Sequence, residues 1–177
     1  CVTGFMGVQT EGVLNQRGLR KIDLSFAEPK DYLAGLGMTG YTAYFGMTDI
    51  GKPQEGETVV VSAASGAVGS VAVQIAKLSR ARVIGIAGGP EKCAYLKDSL
   101  GLDGVIDYKN ESVKKGLKRE CPDGIDLYFD NVGGETLEAV LSQINYQGRI
   151  VVCGAISQYG DIQNARGPRG FMSVITQ

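Results

Sequence analysis

An apolar run, a glycine-containing turn and an amphipathic stretch follow one another without a break between residues 58 and 79. Few folds accommodate that order. Thr58-Val59-Val60-Val61-Ser62 is β-branched and apolar through its centre, as in a strand buried on both faces. Beyond the turn, Val68, Val71, Ala72, Ile75 and Leu78 recur at the spacing of one helix face, which predicts a helix over 67–79. Between them, Ala64-Ser65-Gly66-Ala67-Val68-Gly69 keeps two glycines of a G-x-G-x-x-G pattern, with Ala64 in the place of the first. In such a turn Gly66 lets backbone approach a pyrophosphate. Gly69 lets helix and strand pack closely, and the free N–H groups of the helix N-terminus, from Ala67 and Val68 onward, point at the phosphates. The bland alternative is a tight strand–helix turn that binds nothing. The flanking strand and helix favour the dinucleotide reading.

The same alternation continues. Strands are expected at Thr58–Ser62, Arg82–Ala87, Gly104–Asp107, Ile125–Asp130 and 148–153, with helices at 67–79, 90–100, 111–120 and 134–144. Pro90 suits a first helical turn and Gly101 a stop. Strands alternating with helices predict an α/β fold, a Rossmann-type doubly wound parallel sheet. The first thirty residues differ. The stretch from Val8 to Ile22 mixes glycine with polar residues and reads as strand and connection. Residues 33–50 read as a helical stretch interrupted by Gly35, Gly37 and Gly40, and Gly51-Lys52-Pro53 ends it.

Composition limits the partners. Net charge is −1 with no basic run, so neither nucleic acid nor an anionic membrane is expected. No apolar stretch is long enough to span a bilayer. The four cysteines have no C-x-x-C spacing and histidine is absent, so no metal site is expected. Reduced cysteines packed as small hydrophobes fit a cytoplasmic protein. The chain begins Cys1-Val2-Thr3 rather than with Met, and is read as an internal fragment.

The end of the second sheet strand bears on cofactor choice. An acidic residue there holds the ribose 2′-hydroxyl of NAD, whereas a basic one suits the 2′-phosphate of NADP. Here Ala87-Gly88-Gly89 carries no carboxylate, and Lys92 follows in the next helical turn. That favours NADP(H), the alternative for Lys92 being a solvated helix lysine beside Glu91. The phosphate-binding G-x-x-x-x-G-K-[ST], a tyrosine followed four residues later by lysine, and G-x-S-x-G are all absent.

With this frame in place, the chain resembles the zinc-independent medium-chain dehydrogenase/reductases, in the branch of leukotriene B4 dehydrogenase/prostaglandin reductase and curcumin reductase-like oxidoreductases. The blocks that carry the resemblance are Gly37-Met38-Thr39-Gly40-Tyr41-Thr42-Ala43-Tyr44-Phe45-Gly46, the turn ending at Gly69, Glu91-Lys92, Asp107-Tyr108-Lys109, Tyr128-Phe129-Asp130-Asn131-Val132-Gly133-Gly134 and Cys153-Gly154-Ala155-Ile156-Ser157-Gln158-Tyr159. The resemblance implies that Gly66, Ala67, Val68 and Gly69 cradle the pyrophosphate and that Lys92 and Tyr108 hold the 2′-phosphate. It implies that Asn131 contacts the central ribose–phosphate region. Cys153, Gly154, Ala155, Ile156, Ser157, Gln158 and Tyr159 would line the cofactor groove, with Met38 and Thr42 near the nicotinamide. From sequence alone Tyr108 is a strand-end aromatic, and Asn131 an Asx turn before Gly133-Gly134.

The resemblance further implies residues 1–30 as the tail of a GroES-like domain and 31–177 as the NADP-binding domain, truncated before its last strand. The implied activity is NADPH-dependent reduction of a carbon–carbon double bond conjugated to a ketone or aldehyde. The alternatives are an NADPH-dependent quinone reductase or a cofactor-binding module without turnover. A homodimer acting on a small enone, enal or quinone is expected, and the chain alone is expected to be inactive. No catalytic residue is assigned; Tyr44 and Tyr159 are candidate proton donors by residue type only.

Overall fold

The computed structural model describes residues 1–5, 7, 9–161, 163 and 167–169. Contacts divide the chain into two units, Cys1–Tyr41 and Thr42–Gln177. In the first, β1 (Val2–Thr3) pairs antiparallel with β2 (Arg20–Lys21). Single 3₁₀ turns form at Gln16–Gly18 and Asp31–Leu33. Among its described residues the side chains of Ile22 and Tyr32 are buried, and the Tyr32 hydroxyl donates to the Asp23 carbonyl at 2.6 Å. Helix α1 (Met38–Phe45) runs on from the first unit into the second. The helix expected over 33–50 therefore starts late, because residues 34–37 form turns. It then widens into a π-helical segment, Gly46–Gly51, closed by the Lys52 N–H on the Met47 carbonyl.

The second unit is built on five parallel strands: β3 (Thr58–Ser62), β4 (Arg82–Ala87), β5 (Gly104–Asp107), β6 (Ile125–Asp130) and β7 (Ile144–Val152). Their order across the sheet is β5-β4-β3-β6-β7. The helices between them are α2 (Gly69–Leu78), α3 (Pro90–Ala94) with a π-helical continuation at Tyr95–Ser99, α4 (Val113–Glu120) and α5 (Gly134–Leu141). The chain winds outward from β3 to β5, then crosses back to add β6 and β7 on the other side of β3. That reversal makes the C-terminal ends of β3 and β6 a topological switch point, where such sheets bind ligands.

Every residue of β3 is buried, as a central strand covered on both faces must be. Alternate side chains feed two cores. Val59, Val61, Leu127 and Phe129 pack with Ala43, Met47, Ala72, Val73, Ala76 and Leu96 on one face. Val60, Ile84, Ile106 and Tyr128 pack with Leu117 and Val140 on the other. Helix α2 turns a slightly different face inward than its periodicity suggests. Gly69, Ala72, Val73 and Ala76 are buried, while Leu78 is 84% exposed. Small residues on the inner line let the helix axis approach the sheet, and Val68, Val71 and Ile75 flank it, partly buried.

The expected bounds of the last helix and strand also shift. The helix expected to 144 stops at Leu141, and the last strand starts at Ile144 rather than 148. Ile144 is aligned with Ile125, and an irregularity before the Leu127–Arg149 pair lets β7 continue, with Gln147 at φ +59°. The Arg149 guanidinium then ties β7 to the loop before β3, donating to the Gly51 carbonyl at 2.8 Å and pairing with Glu57. The expected truncation before a further strand falls at the end of the chain, where residues 170–177 lie outside the described ones.

Candidate functional site

The residues singled out from sequence in the second unit, Thr42 and Tyr44 on α1 aside, gather at the C-terminal edge of the sheet. At the end of β3 the backbone turns at Ala63, which sits at φ +47°. The Ala64 N–H is held by the Ile86 carbonyl at 3.0 Å and the Gly66 N–H by the Ala63 carbonyl at 2.9 Å. Gly66 and Ala67 are exposed and Gly69 is buried. A Cβ at Gly69 would overlap the Ala63 carbonyl and stand 2.8 Å from the Ala64 Cα. Only glycine lets α2 start this close to β3. The Ala67, Val68 and Gly69 N–H groups have no backbone partner among the described residues. The α2 N-terminus thus offers several open donors, with the positive end of its dipole, at the switch point.

Across the switch point, β6 ends in a buried polar cluster. Asp130, 1% exposed, accepts at Oδ1 from the Tyr128 hydroxyl (2.8 Å) and from the Val132 (2.9 Å) and Gly133 (2.8 Å) N–H groups. Burial, reinforced by the Asp130 carboxylate, raises the Tyr128 phenol well above its ordinary value, so it stays a neutral donor. Asn131 reaches back to β3: its Nδ2 donates to the Ser62 carbonyl at 2.7 Å, and its N–H donates to Ser62 Oγ at 2.9 Å. The Asn131 amide nitrogen therefore joins the two strand ends.

The run after β7 lies along the same edge. The Cys153 and Gly154 N–H groups donate to the Asp130 carbonyl, Ile156 to the Asn131 carbonyl and Ser157 to the Val132 carbonyl. Ser157 Oγ adds a 2.6 Å bond to that last carbonyl. Tyr159 Oη accepts the Ala155 N–H at 3.2 Å, folding the segment on itself, with Gln158 in the intervening turn. Burial and Asp130 push the Cys153 thiol up, so it is no ready nucleophile.

Further along the edge, β4 and β5 end beside each other. The Tyr108 N–H donates to the Ala87 carbonyl, and the Tyr108 ring, half exposed, covers Gly88 so closely that a Cβ there would stand 2.7 Å from it. Lys92 is exposed one helical turn beyond. Met38 and Thr42 stand four residues apart on one face of α1, both exposed, Met38 in the first unit and Thr42 in the second. The sequence reading assigned nothing to Ser62, Tyr128 or Asp130. Polar residues inside an otherwise apolar buried strand were the available signal.

These features define a doubly wound α/β domain with open backbone N–H groups at its switch point. The chain belongs to the zinc-binding dehydrogenase family, whose model matches residues 67–171. Within it the chain is similar to the NADPH-dependent curcumin reductase of Escherichia coli, with 43% identity over 94% of this chain and 48% of that one. It is also similar to prostaglandin reductase 1 of Mus musculus, with 47% identity over 94% and 50%. The solved structure of CurA in complex with NADPH from Vibrio vulnificus superposes with a TM-score of 0.77 at 49% identity, covering 84% of this chain and 44% of that one. These relatives match the zinc-independent medium-chain branch that the sequence blocks resemble. The chain spans about half the length of the curated relatives it matches.

Zinc does not fit the described residues. The chain has no histidine, and no three Cys, Asp or Glu side chains among the described residues come together as metal ligands. A dinucleotide does fit. The close approach at Gly69, the open N–H groups and the carboxylate-free Gly88-Gly89 turn supply what a pyrophosphate and an adenosine phosphate require. Among the described residues, no helix is long and apolar enough to cross a membrane.

Proposed function

We propose that the chain is the NADPH-binding part of a reductase that saturates carbon–carbon double bonds conjugated to a ketone or aldehyde. The observation that carries the reading is the α2 N-terminus, packed against β3 through Gly69 and open toward the switch point. In this reading Gly66, Ala67, Val68 and Gly69 bind the pyrophosphate through backbone N–H groups. Lys92 and Tyr108 take the 2′-phosphate, and the Asn131 oxygen faces the central ribose. Residues 153–159 form the groove wall beside Asn131, and Met38 and Thr42 lie toward the nicotinamide. Bound NADPH supplies a hydride to the β-carbon of the acceptor, and the α-carbon takes a proton. The chain's own contribution is to bind and orient the cofactor so that the reacting carbons meet at roughly 3–3.5 Å.

The names of relatives support the acceptor class: among them are a 2-alkenal reductase of Nicotiana tabacum and a (+)-pulegone reductase of Mentha piperita. Residues 1–30 are read as the tail of a GroES-like domain, which the antiparallel β1–β2 pair supports. A cytoplasmic homodimer completes the reading, supported by four free thiols and by the outer edge of β7, which has no strand beyond it among the described residues. The test is an acceptor screen on the full-length protein, following NADPH oxidation at 340 nm (a property of NADPH) with enones, enals and quinones. Enone or enal turnover supports the reading. Turnover of quinones alone, or NADPH binding without any turnover, contradicts it.

A further inference from the structure

Asp107 ends β5, and its carboxylate reaches into the turn between β4 and α3. Oδ1 accepts the Gly89 N–H at 2.8 Å and the Lys109 N–H at 3.1 Å, while Oδ2 accepts Asn110 Nδ2 at 2.7 Å. Gly89 itself is held at φ +96°, a backbone state that side-chain-bearing residues rarely adopt. Its carbonyl accepts the Cys93 N–H, so the orientation of Gly89 carries into the helical turn that bears Lys92. On the other side, the residue after Asp107 is Tyr108, whose N–H is fixed on the Ala87 carbonyl and whose ring lies against Gly88. One carboxylate therefore connects the two segments that carry Lys92 and Tyr108.

We propose that Asp107 is a positioning residue for cofactor selectivity: by holding the Gly89 N–H it sets Lys92 and Tyr108 at the distance that a 2′-phosphate requires. The inference rests on the NADPH reading above. A carboxylate near a phosphate would ordinarily oppose binding. Here both oxygens are engaged by protein donors, so the charge is turned into the turn rather than toward a ligand. The Gly89 N–H above all, with Asn110 and Lys109, holds the carboxyl below the ordinary carboxylate range, and it is ionised at neutral pH. The clamp also explains why a carboxylate at this edge does not select NAD: it ends β5, not β4, and both its oxygens already bind protein donors.

The role makes geometry, not charge, the decisive property, and three substitutions separate the two. Asp107→Asn keeps an oxygen in place for Gly89 and Lys109 without the charge, and Asn110 can turn its amide to meet the new NH2. Asp107→Glu keeps the charge but moves the oxygens by one methylene. Asp107→Ala removes the acceptor. Dissociation constants for NADPH and NADH are measured by fluorescence on full-length wild type and variants, with a thermal melt confirming that each is folded. The expected result is a fall of about tenfold or more in the NADPH-over-NADH ratio for Ala and Glu, with Asn within about threefold of wild type. Should Ala fail to fold, Glu and Asn alone still decide. A wild-type ratio preserved in Glu overturns the clamp, as does Asn falling as far as Glu. A wild type that binds both cofactors equally overturns the NADPH reading itself, and the clamp with it.

Discussion

Replacing Gly69 by alanine tests the contact on which the site is built. The added Cβ would stand 2.8 Å from Ala64 Cα and overlap the Ala63 carbonyl. The carbon–carbon approach alone is roughly 0.7 Å inside ordinary contact. Both neighbours are backbone at the end of a fully buried strand, so they cannot swing aside as a side chain would. The helix must move instead, loosening Ala72, Val73 and Ala76 from the core. Overpacking of this kind costs about 1–3 kcal/mol. For a domain of this size that is a drop in Tm of roughly 2–12 °C. The same movement displaces the open N–H groups, so NADPH affinity falls with stability. Gly66→Ala is the control: its Cβ meets only the Ala63 carbonyl, at 3.1 Å, and the position is exposed. It should melt within about 0.5 kcal/mol of wild type while weakening NADPH, because the methyl stands where the pyrophosphate approaches. Urea denaturation and cofactor titration of both variants provide the comparison. A Gly69→Ala protein as stable as wild type, or two variants that bind NADPH normally, would refute the reasoning.

Lys92→Ala should weaken NADPH by about ten- to a hundredfold and leave NADH unchanged, since it removes a charge-assisted bond to the 2′-phosphate alone; an unaltered preference in the titration removes Lys92 from that task. Burial works against the Asp103 carboxylate, but the Val83 N–H (2.7 Å) and Lys77 (3.1 Å) outweigh it and hold the group below its ordinary value. The folded state then binds fewer protons than the unfolded one between the two values, so this contribution is complete above about pH 4 and is lost as pH falls through the folded value. Urea melts should therefore show Asp103→Asn less stable than wild type at pH 7 but losing less stability below pH 4, a difference absent if the carboxylate is unperturbed. Burial pushes the Cys121 thiol up to about 12, so iodoacetamide at pH 8 should label exposed Cys1 first and Cys121 only in denaturant; rapid native labelling of Cys121 by mass spectrometry contradicts its packing.

The strands were legible where local pattern and burial coincide. Thr58–Ser62, Arg82–Ala87, Gly104–Asp107 and Ile125–Asp130 are where their apolar runs placed them, because a buried parallel strand must be apolar along its length. The start of β7 was not, since no glycine or proline separates Leu141 from Ile144 and the pairing that makes Ile144 a strand residue is with distant Ile125. The glycine turn and the carboxylate-free β4 end were readable as chemistry. What joins them was not. Asn131 and Ser62 meet across 69 positions, and Asp107 and Gly89 across 18. The Asp107-Tyr108-Lys109 block marked a position, and an Asx turn toward Lys109 is a local signal there, but nothing in the sequence points that carboxylate at Gly89.

In the proposed function, the cofactor held at this edge delivers hydride to the β-carbon of a conjugated double bond. The most direct measurement uses NADPH carrying deuterium at both nicotinamide C4 positions, with a simple enone and the full-length protein, and locates the label in the product by NMR. A saturated ketone with deuterium on the β-carbon and a solvent-derived proton on the α-carbon is expected. Deuterium on the carbonyl carbon, giving an allylic alcohol, or a saturated product without label on the β-carbon, would contradict it.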